Sequence, residues 1–123
     1  MSVNVSFFGN MPDGKEVRLF TVKNSNGIIL QVITLGATLQ ALYTPDKYGR
    51  VNDITVGFDS LYGHLNFTDY QGKTVGRYAN RIANGSFMMN GKKVQLTQNE
   101  RGKTCLHSAG EFSNAVWDAE AVG

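Results

Sequence analysis

Apolar and polar residues alternate along much of this chain with a period of two, the spacing of strands whose side chains point to opposite faces. Val17, Leu19 and Thr21 alternate with Arg18, Phe20 and Val22, and an apolar, β-branched run returns over residues 28–34. Between them Asn26-Gly27 supplies two residues that tolerate positive φ, which predicts a hairpin. Gly36 interrupts before the pattern resumes over residues 37–43, predicting a bend or bulge. Turn residues fill positions 44–50, and residues 53–58 predict another short strand. Phe87-Met88-Met89 and Lys93-Val94-Gln95-Leu96 flank Asn90-Gly91, the clearest hairpin signal in the chain. Near the end, Ala115, Trp117, Ala119 and Ala121 alternate with Val116, Asp118 and Glu120, which predicts a half-buried strand with Trp117 facing inward. Residues 60–70 follow no clean period and predict a short helix or an irregular connection. No segment carries the 3.6-residue pattern of a three-turn helix, so the expected class is all-β and antiparallel.

Composition narrows the function classes. The 123 residues are 41% apolar and 18% charged, ordinary for a soluble globular domain or a piece of one. A formal charge of +2 with no basic run lacks the electrostatic footprint of a nucleic-acid binder. The N-terminal MSVNVSFFGN has no basic region followed by a long apolar segment, and no apolar stretch reaches membrane-spanning length. The single cysteine, Cys105, forms no intramolecular disulfide. The expectation is a cytoplasmic protein with neither membrane nor nucleic acid as partner. The sequons at Asn4, Asn66 and Asn84 are then expected to carry no glycan, since secretion is their precondition. The chain stops at Ala121-Val122-Gly123, directly after a predicted strand, so the C-terminus is expected to be cut and a sheet edge left open.

The densest chemistry lies in residues 74–87, TVGRYANRIANGSF. Arg77 and Arg81 are four apart, and Asn80 sits beside Arg81. Asn offers a donor and an acceptor, Arg a planar fork of donors, and glycine lets a backbone approach a ligand closely. The combination suits a neutral ligand dense in hydroxyls, or an anion. A structural turn, with the arginines holding carbonyls or carboxylates, is the competing explanation. Gly72-Lys73-Thr74 imitates the end of a phosphate-binding loop, but Phe67 occupies the place of that motif's first glycine and no long helix follows. His64 and His107 are far apart in sequence and no ligand spacing marks a metal site. Cys105 and His107, two apart, would share a face of a strand, yet neither an orienting group nor an oxyanion site accompanies them. His107 stands at a strand end running into a Gly-containing turn, where it either is held by a neighbouring carbonyl or serves a ligand. The carboxylates Asp53, Asp59, Asp69 and Glu100 are scattered through turn-like segments and form no recognisable acid–base pair.

Taken in order, these residues carry a resemblance. Gly36-Ala37-Thr38, Pro45-Asp46 with Gly49 and Asp53, and Val56-Gly57-Phe58-Asp59 come first. Gly76-Arg77-Tyr78-Ala79-Asn80-Arg81-Ile82 follows with Gly85 and Phe87, then Asn90-Gly91, Leu96, Asn99, Leu106-His107 and Trp117. From about residue 36 to residue 117 the chain resembles the N-terminal part of the aldose 1-epimerase, or galactose mutarotase, family. Two departures border the site: Ser108-Ala109-Gly110 follows Leu106-His107, where the family has two glycines, and Thr104 replaces a frequent asparagine.

The resemblance implies a β-sandwich of twisted antiparallel sheets, of which residues 1–123 are the N-terminal part with the C-terminal part absent. It implies cofactor-free interconversion of the anomers of an aldohexose such as galactose or glucose, with Asn80, Arg81 and His107 at positions that hold the sugar. The family's general acid, a second histidine, and its general base, a glutamate, lie beyond this chain. No catalytic residue is therefore expected here, His107 being at most a contributor. The alternatives are a non-catalytic sugar-binding module and a structural β-domain. The β-domain would need a partner chain at its open edge, and the chain itself is expected to pair with a missing C-terminal half or with a second copy through open sheet edges.

Overall fold

A computed structural model describes residues 1–67 and 69–122. Thr68, which completes the Asn66 sequon, and Gly123 lie outside the described residues. Five strands form one antiparallel sheet in sequence order: β1 (Ser2–Asn10), β2 (Glu16–Lys23), β3 (Ile29–Ile33), β4 (Thr38–Pro45) and β5 (Val51–Asp53). A short helix, α1 (Leu61–Asn66), crosses over to two small antiparallel pairs. The first joins β6 (Arg81–Ala83) to β9 (Thr104–Leu106), and the second joins β7 (Ser86–Met89) to β8 (Lys92–Gln95). The antiparallel all-β class holds, and residues 60–70 contain the short helix.

Side chains in the turns fix the register of the large sheet. Asn24 Oδ1 accepts from the N–H groups of Asn26 and Ile28, closing the β2–β3 hairpin at Asn26-Gly27. Asp46 Oδ1 does the same for Tyr48 and Arg50 between β4 and β5. The register shifts between Gln31 and Val32 in the β3–β4 pair, and Gly36 and Ala37 take positive φ at the bend between them. The predicted Asn90-Gly91 hairpin is the β7–β8 pair.

Three elements differ from expectation. Residues 2–10, to which the sequence reading assigned nothing, form the nine-residue edge strand β1; Val3, Val5 and Phe7 alternate there but remain exposed. The strand expected over residues 53–58 ends at Asp53. Its carboxylate captures the N–H groups of Leu42 and Thr55, which takes donors out of the ladder. The strand expected over residues 115–121 is reduced to a single bridge, Leu35 to Val116. Both sides of β3 are already occupied by β2 and β4, so this segment pairs only past the end of β3, where Trp117 N–H donates to the Thr34 carbonyl. Trp117 is half-buried and meets Phe112 edge to face, with ring centroids 5.3 Å apart.

The core is small. Val17, Ile33, Leu35 and Leu61 are buried together, with Phe8, Met11, Leu19 and Val116 packed around them. Leu61 brings α1 down onto the sheet, and His64, one turn on, is 4% exposed between the rings of Phe8 and Phe58. Its Nε2 meets Gln40 Oε1 at 2.8 Å.

Residues 72–74 tie the site to this sheet. Gly72 carbonyl accepts from Leu39 N–H, Thr74 N–H donates to the Gly36 carbonyl, and Ser113 Oγ donates to the Thr74 carbonyl. The Gly72-Lys73-Thr74 sequence is a fastening between loops, with no phosphate-loop helix behind it.

Candidate sugar-binding site

The β6–β9 pair is only three residues long, and the candidate residues stand at one end of it. Arg81 is the register partner of Leu106, so Asn80 and His107 are the next residues outward. Both leave the strands at positive φ, +67° and +51°. There they bind each other twice: His107 N–H donates to the Asn80 carbonyl, and Asn80 N–H donates to His107 Nδ1, each at 2.9 Å. A backbone donor on Nδ1 requires a lone pair there, which assigns the ring proton to Nε2. Tyr70 packs on the same imidazole with ring centroids 4.7 Å apart. The structure thus brings Asn80, Arg81 and His107 together at this end of the pair.

Arg81 is held by Glu100. Its Nε donates to Oε2 at 2.7 Å and its Nη2 to Oε1 at 2.6 Å, a bidentate fork, while Nη1 donates to Asn80 Oδ1 at 3.2 Å. The hydrogen bond from Arg81 holds the Glu100 carboxyl below the usual carboxylate range, and the charges of Arg81 and Arg101 add to this. The same bond raises Arg81 further. Glu100 is one of the four carboxylates that sequence spacing left unassigned. Only its pairing with Arg81, nineteen residues away, gives it a role.

Glu100 is itself placed by a closed loop. It exchanges backbone hydrogen bonds with Thr104, leaving Arg101-Gly102-Lys103 as the tip. At the loop's base the Asn99 carboxamide accepts from Leu106 N–H at 2.8 Å and donates to the Leu106 carbonyl at 3.0 Å. A hollow of about 330 Å³ opens here, lined by Arg81, Glu100, Arg101, Lys103 and Thr104. Another, of about 500 Å³, has Tyr70, Asn99 and Ala109 in its wall together with His64 and Lys73.

Other candidates separate from this group. Arg77 turns to Glu111 and lies over the Phe112 ring, so the two arginines of the motif serve different carboxylates. Cys105 is buried in β9 opposite Ile82, whereas His107 is already outside the strand, so the shared strand face expected for the two does not form. His64 is enclosed by aromatic rings and takes a packing role. Among the described residues no group of three or more His, Cys, Asp or Glu side chains could hold a metal ion. Among the described residues no helix is long and apolar enough to cross a membrane.

The turn after His107 explains one departure of the sequence. His107, Ser108 and Ala109 all take left-handed φ of 51–54°, a conformation that suits glycine. Ser108 Oγ partly compensates by accepting from Tyr78 N–H and donating to the Tyr78 carbonyl, stitching this turn to the Arg77–Asn80 loop.

Comparison with known proteins agrees with this architecture. The family model for aldose 1-epimerase matches residues 18–123. Galactose mutarotase of Bos taurus is 38% identical over 119 residues, covering 95% of this chain and 34% of that protein. The solved structure of a GalM/aldose epimerase homologue from C. elegans superposes with a TM-score of 0.78 at 31% identity, over 85% of this chain and 32% of that one. Galactose 1-epimerase from Lactobacillus acidophilus, at 24% identity and TM-score 0.75, shares the fold over 95% of this chain and 34% of its own. This chain spans about a third of the length of the relatives it matches. With the family match running from β2 to the last residue and the Asn80–Arg81–His107 geometry in place, the chain belongs to the aldose 1-epimerase family.

Proposed function

We propose that this chain is the N-terminal, sugar-holding part of an aldose 1-epimerase domain that interconverts the anomers of an aldohexose such as galactose or glucose in the cytoplasm. The observation that carries this is the paired Asn80–His107 contact with Arg81 beside it. With Nδ1 engaged, His107 offers Nε2–H to a hydroxyl or a ring oxygen. Arg81 keeps one N–H on each terminal nitrogen beyond those given to Glu100 and Asn80. Asn80 keeps its amide donors. These are hydrogen-bond donors fixed in place, suited to hydroxyl oxygens and to a sugar oxygen as its ring opens.

Anomer exchange needs a base to take the proton of the anomeric hydroxyl and an acid to protonate the ring oxygen. The ring opens, the aldehyde rotates, and reclosure gives the other anomer. Glu100 is a poor base for this, because Arg81 holds its carboxyl low. On this reading residues 1–123 bind, and a histidine and a glutamate in the other two thirds of a family-length protein transfer the protons.

Two measurements on the chain test the proposal. In an amide-detected titration with D-galactose and D-glucose, the resonances of Asn80, Arg81 and His107 are expected to shift together, and unchanged resonances would refute the site. Polarimetry of freshly dissolved α-D-galactose is expected to relax no faster than buffer. Each absent proton-transfer group costs around 10²–10⁴-fold. A fast rate from these residues alone would overturn the division of labour.

A further inference from the structure

We infer that Glu100 is the positioning residue of this site: it fixes the Arg81 guanidinium in one plane and cancels its charge, so that Arg81 meets a ligand as a neutral set of donors. The inference rests on the reading of Asn80, Arg81 and His107 as the sugar contacts and deepens it.

The geometry leaves Arg81 little freedom. Three of its five N–H groups are committed, two to Glu100 and one to Asn80. A bidentate fork sets both the plane and the rotation of a guanidinium, which a single hydrogen bond does not. The two remaining N–H groups therefore point in fixed directions. Asn80 Oδ1 accepts from the clamped guanidinium, so the clamp on Arg81 orients the neighbouring amide too.

Charge gives the second half of the inference. Arg81, Arg101 and Lys103 line one hollow, and Glu100 is the only acid in its wall. Removing that carboxylate would leave three cations around a single space, a setting for a phosphate or a carboxylate. The sequence of residues 74–87 suits a hydroxyl-rich neutral ligand and an anion equally well. Glu100, which lies outside that stretch, tips the choice at Arg81 toward the neutral ligand. Arg101 and Lys103 at the loop tip make no ion pair among the described residues. They remain as a positive rim around a neutralised centre.

The experiment compares the 123-residue chain with Glu100→Gln and Glu100→Asp, labelled with ¹⁵N. Inorganic phosphate and D-galactose serve as the two titrants. In the unmodified chain the Arg81 Nε–H resonance is expected well downfield of the others and slow to exchange with water relative to that of Arg101. In Glu100→Gln this signature is expected to collapse while the amides of β6 and β9 stay in place. Phosphate affinity read at Arg81 should then rise and galactose affinity fall, each on the order of three- to tenfold. Glu100→Asp keeps the charge on a shorter arm, so it should still repel phosphate while recovering only part of the Nε–H signature. An unchanged Arg81 resonance and unchanged phosphate affinity in Glu100→Gln would overturn the inference. Should the Gln variant fail to fold, an Arg81 Nε–H in the unmodified chain that exchanges as fast as that of Arg101 would overturn it equally. Galactose that shifts nothing in the unmodified chain refutes the sugar site, whereas the Arg81 resonance and the phosphate titration still decide the role of Glu100.

Discussion

Asn80 and His107 are bonded in both directions: the His107 amide reaches the Asn80 carbonyl, and the Asn80 amide reaches the His107 ring. This ring-to-backbone contact makes the histidine part of the loop framework and fixes which of its nitrogens faces outward. Long-range ¹H–¹⁵N spectra of the imidazole are expected to show the neutral ring protonated on Nε2, with Nδ1 as the bare nitrogen. A ring protonated on Nδ1 would contradict the contact.

Strain in the following turn predicts a stabilising substitution. A left-handed residue with a Cβ costs about 1–2 kcal/mol, and glycine there gives back only about 0.5–1 kcal/mol of unfolded-state entropy. Ala109→Gly is therefore expected to raise stability by roughly 0.5–1 kcal/mol in urea melts. Ser108→Gly should gain less, because it gives up both Oγ bonds to Tyr78. A destabilised Ala109→Gly would show that the turn is not strained.

Gly36 and Gly49 both have positive φ, yet their surroundings differ. A Cβ on Gly36 would strike the Ser113 carbonyl, while at Gly49 nothing lies within 4 Å. Gly49→Ala is expected to cost about 1–2 kcal/mol from backbone conformation alone. Gly36→Ala should cost clearly more and loosen the contacts of Thr74, measured as a larger drop in thermal midpoint and lost amide protection at Thr74.

Burial, reinforced by the charge of Lys73, holds the His64 imidazole below its ordinary 6.5, against a smaller opposing contribution from the Phe58 carbonyl. The folded chain thus takes up its His64 proton at lower pH than the unfolded chain does. The stability from this group is complete above pH 6.5 and is lost as pH falls through the lower folded value. Urea midpoints should fall on acidification below pH 6.5, and His64→Phe should flatten that part of the curve. An equal slope in both proteins would remove His64 from the explanation.

In the core, Ile33 has no exposed surface and sits in a cluster of four buried side chains. Ile33→Ala is expected to destabilise by about 2–5 kcal/mol. In so small a core that loss should appear as a chain largely unfolded by circular dichroism at 37 °C. A cost below 1 kcal/mol would mean that this cluster does not hold the sheet together.

The parts of the fold written in local patterns were legible in the sequence. Asn26-Gly27 and Asn90-Gly91 announced their hairpins because positive φ is a property of the residues themselves. Asn80 and Arg81 stood out by residue type and His107 only by its place in the family resemblance; the structure brings the three together. What escaped depended on partners distant in sequence. The strand expected after Asp53 failed because its own side chain takes the Leu42 donor, eleven residues back. The strand expected at Trp117 failed because β3 had no free side left. Glu100 gains meaning only when the β6–β9 register brings its loop to Arg81. β1 was missed for the opposite reason: its alternation is plain, but it lies at an edge where its apolar residues stay exposed.

Asn99 grips Leu106 with both ends of its carboxamide, so the base of the 100–104 loop is closed by a side chain standing in for a strand partner. Leu106 and His107 keep their positions through that grip, independent of how many residues the tip contains. The tip at Arg101-Gly102-Lys103 can therefore lengthen, shorten or change charge without displacing the histidine. Evolution, or an engineer, can vary the charge of that tip while the Asn80–His107 pairing stays mechanically insulated from it.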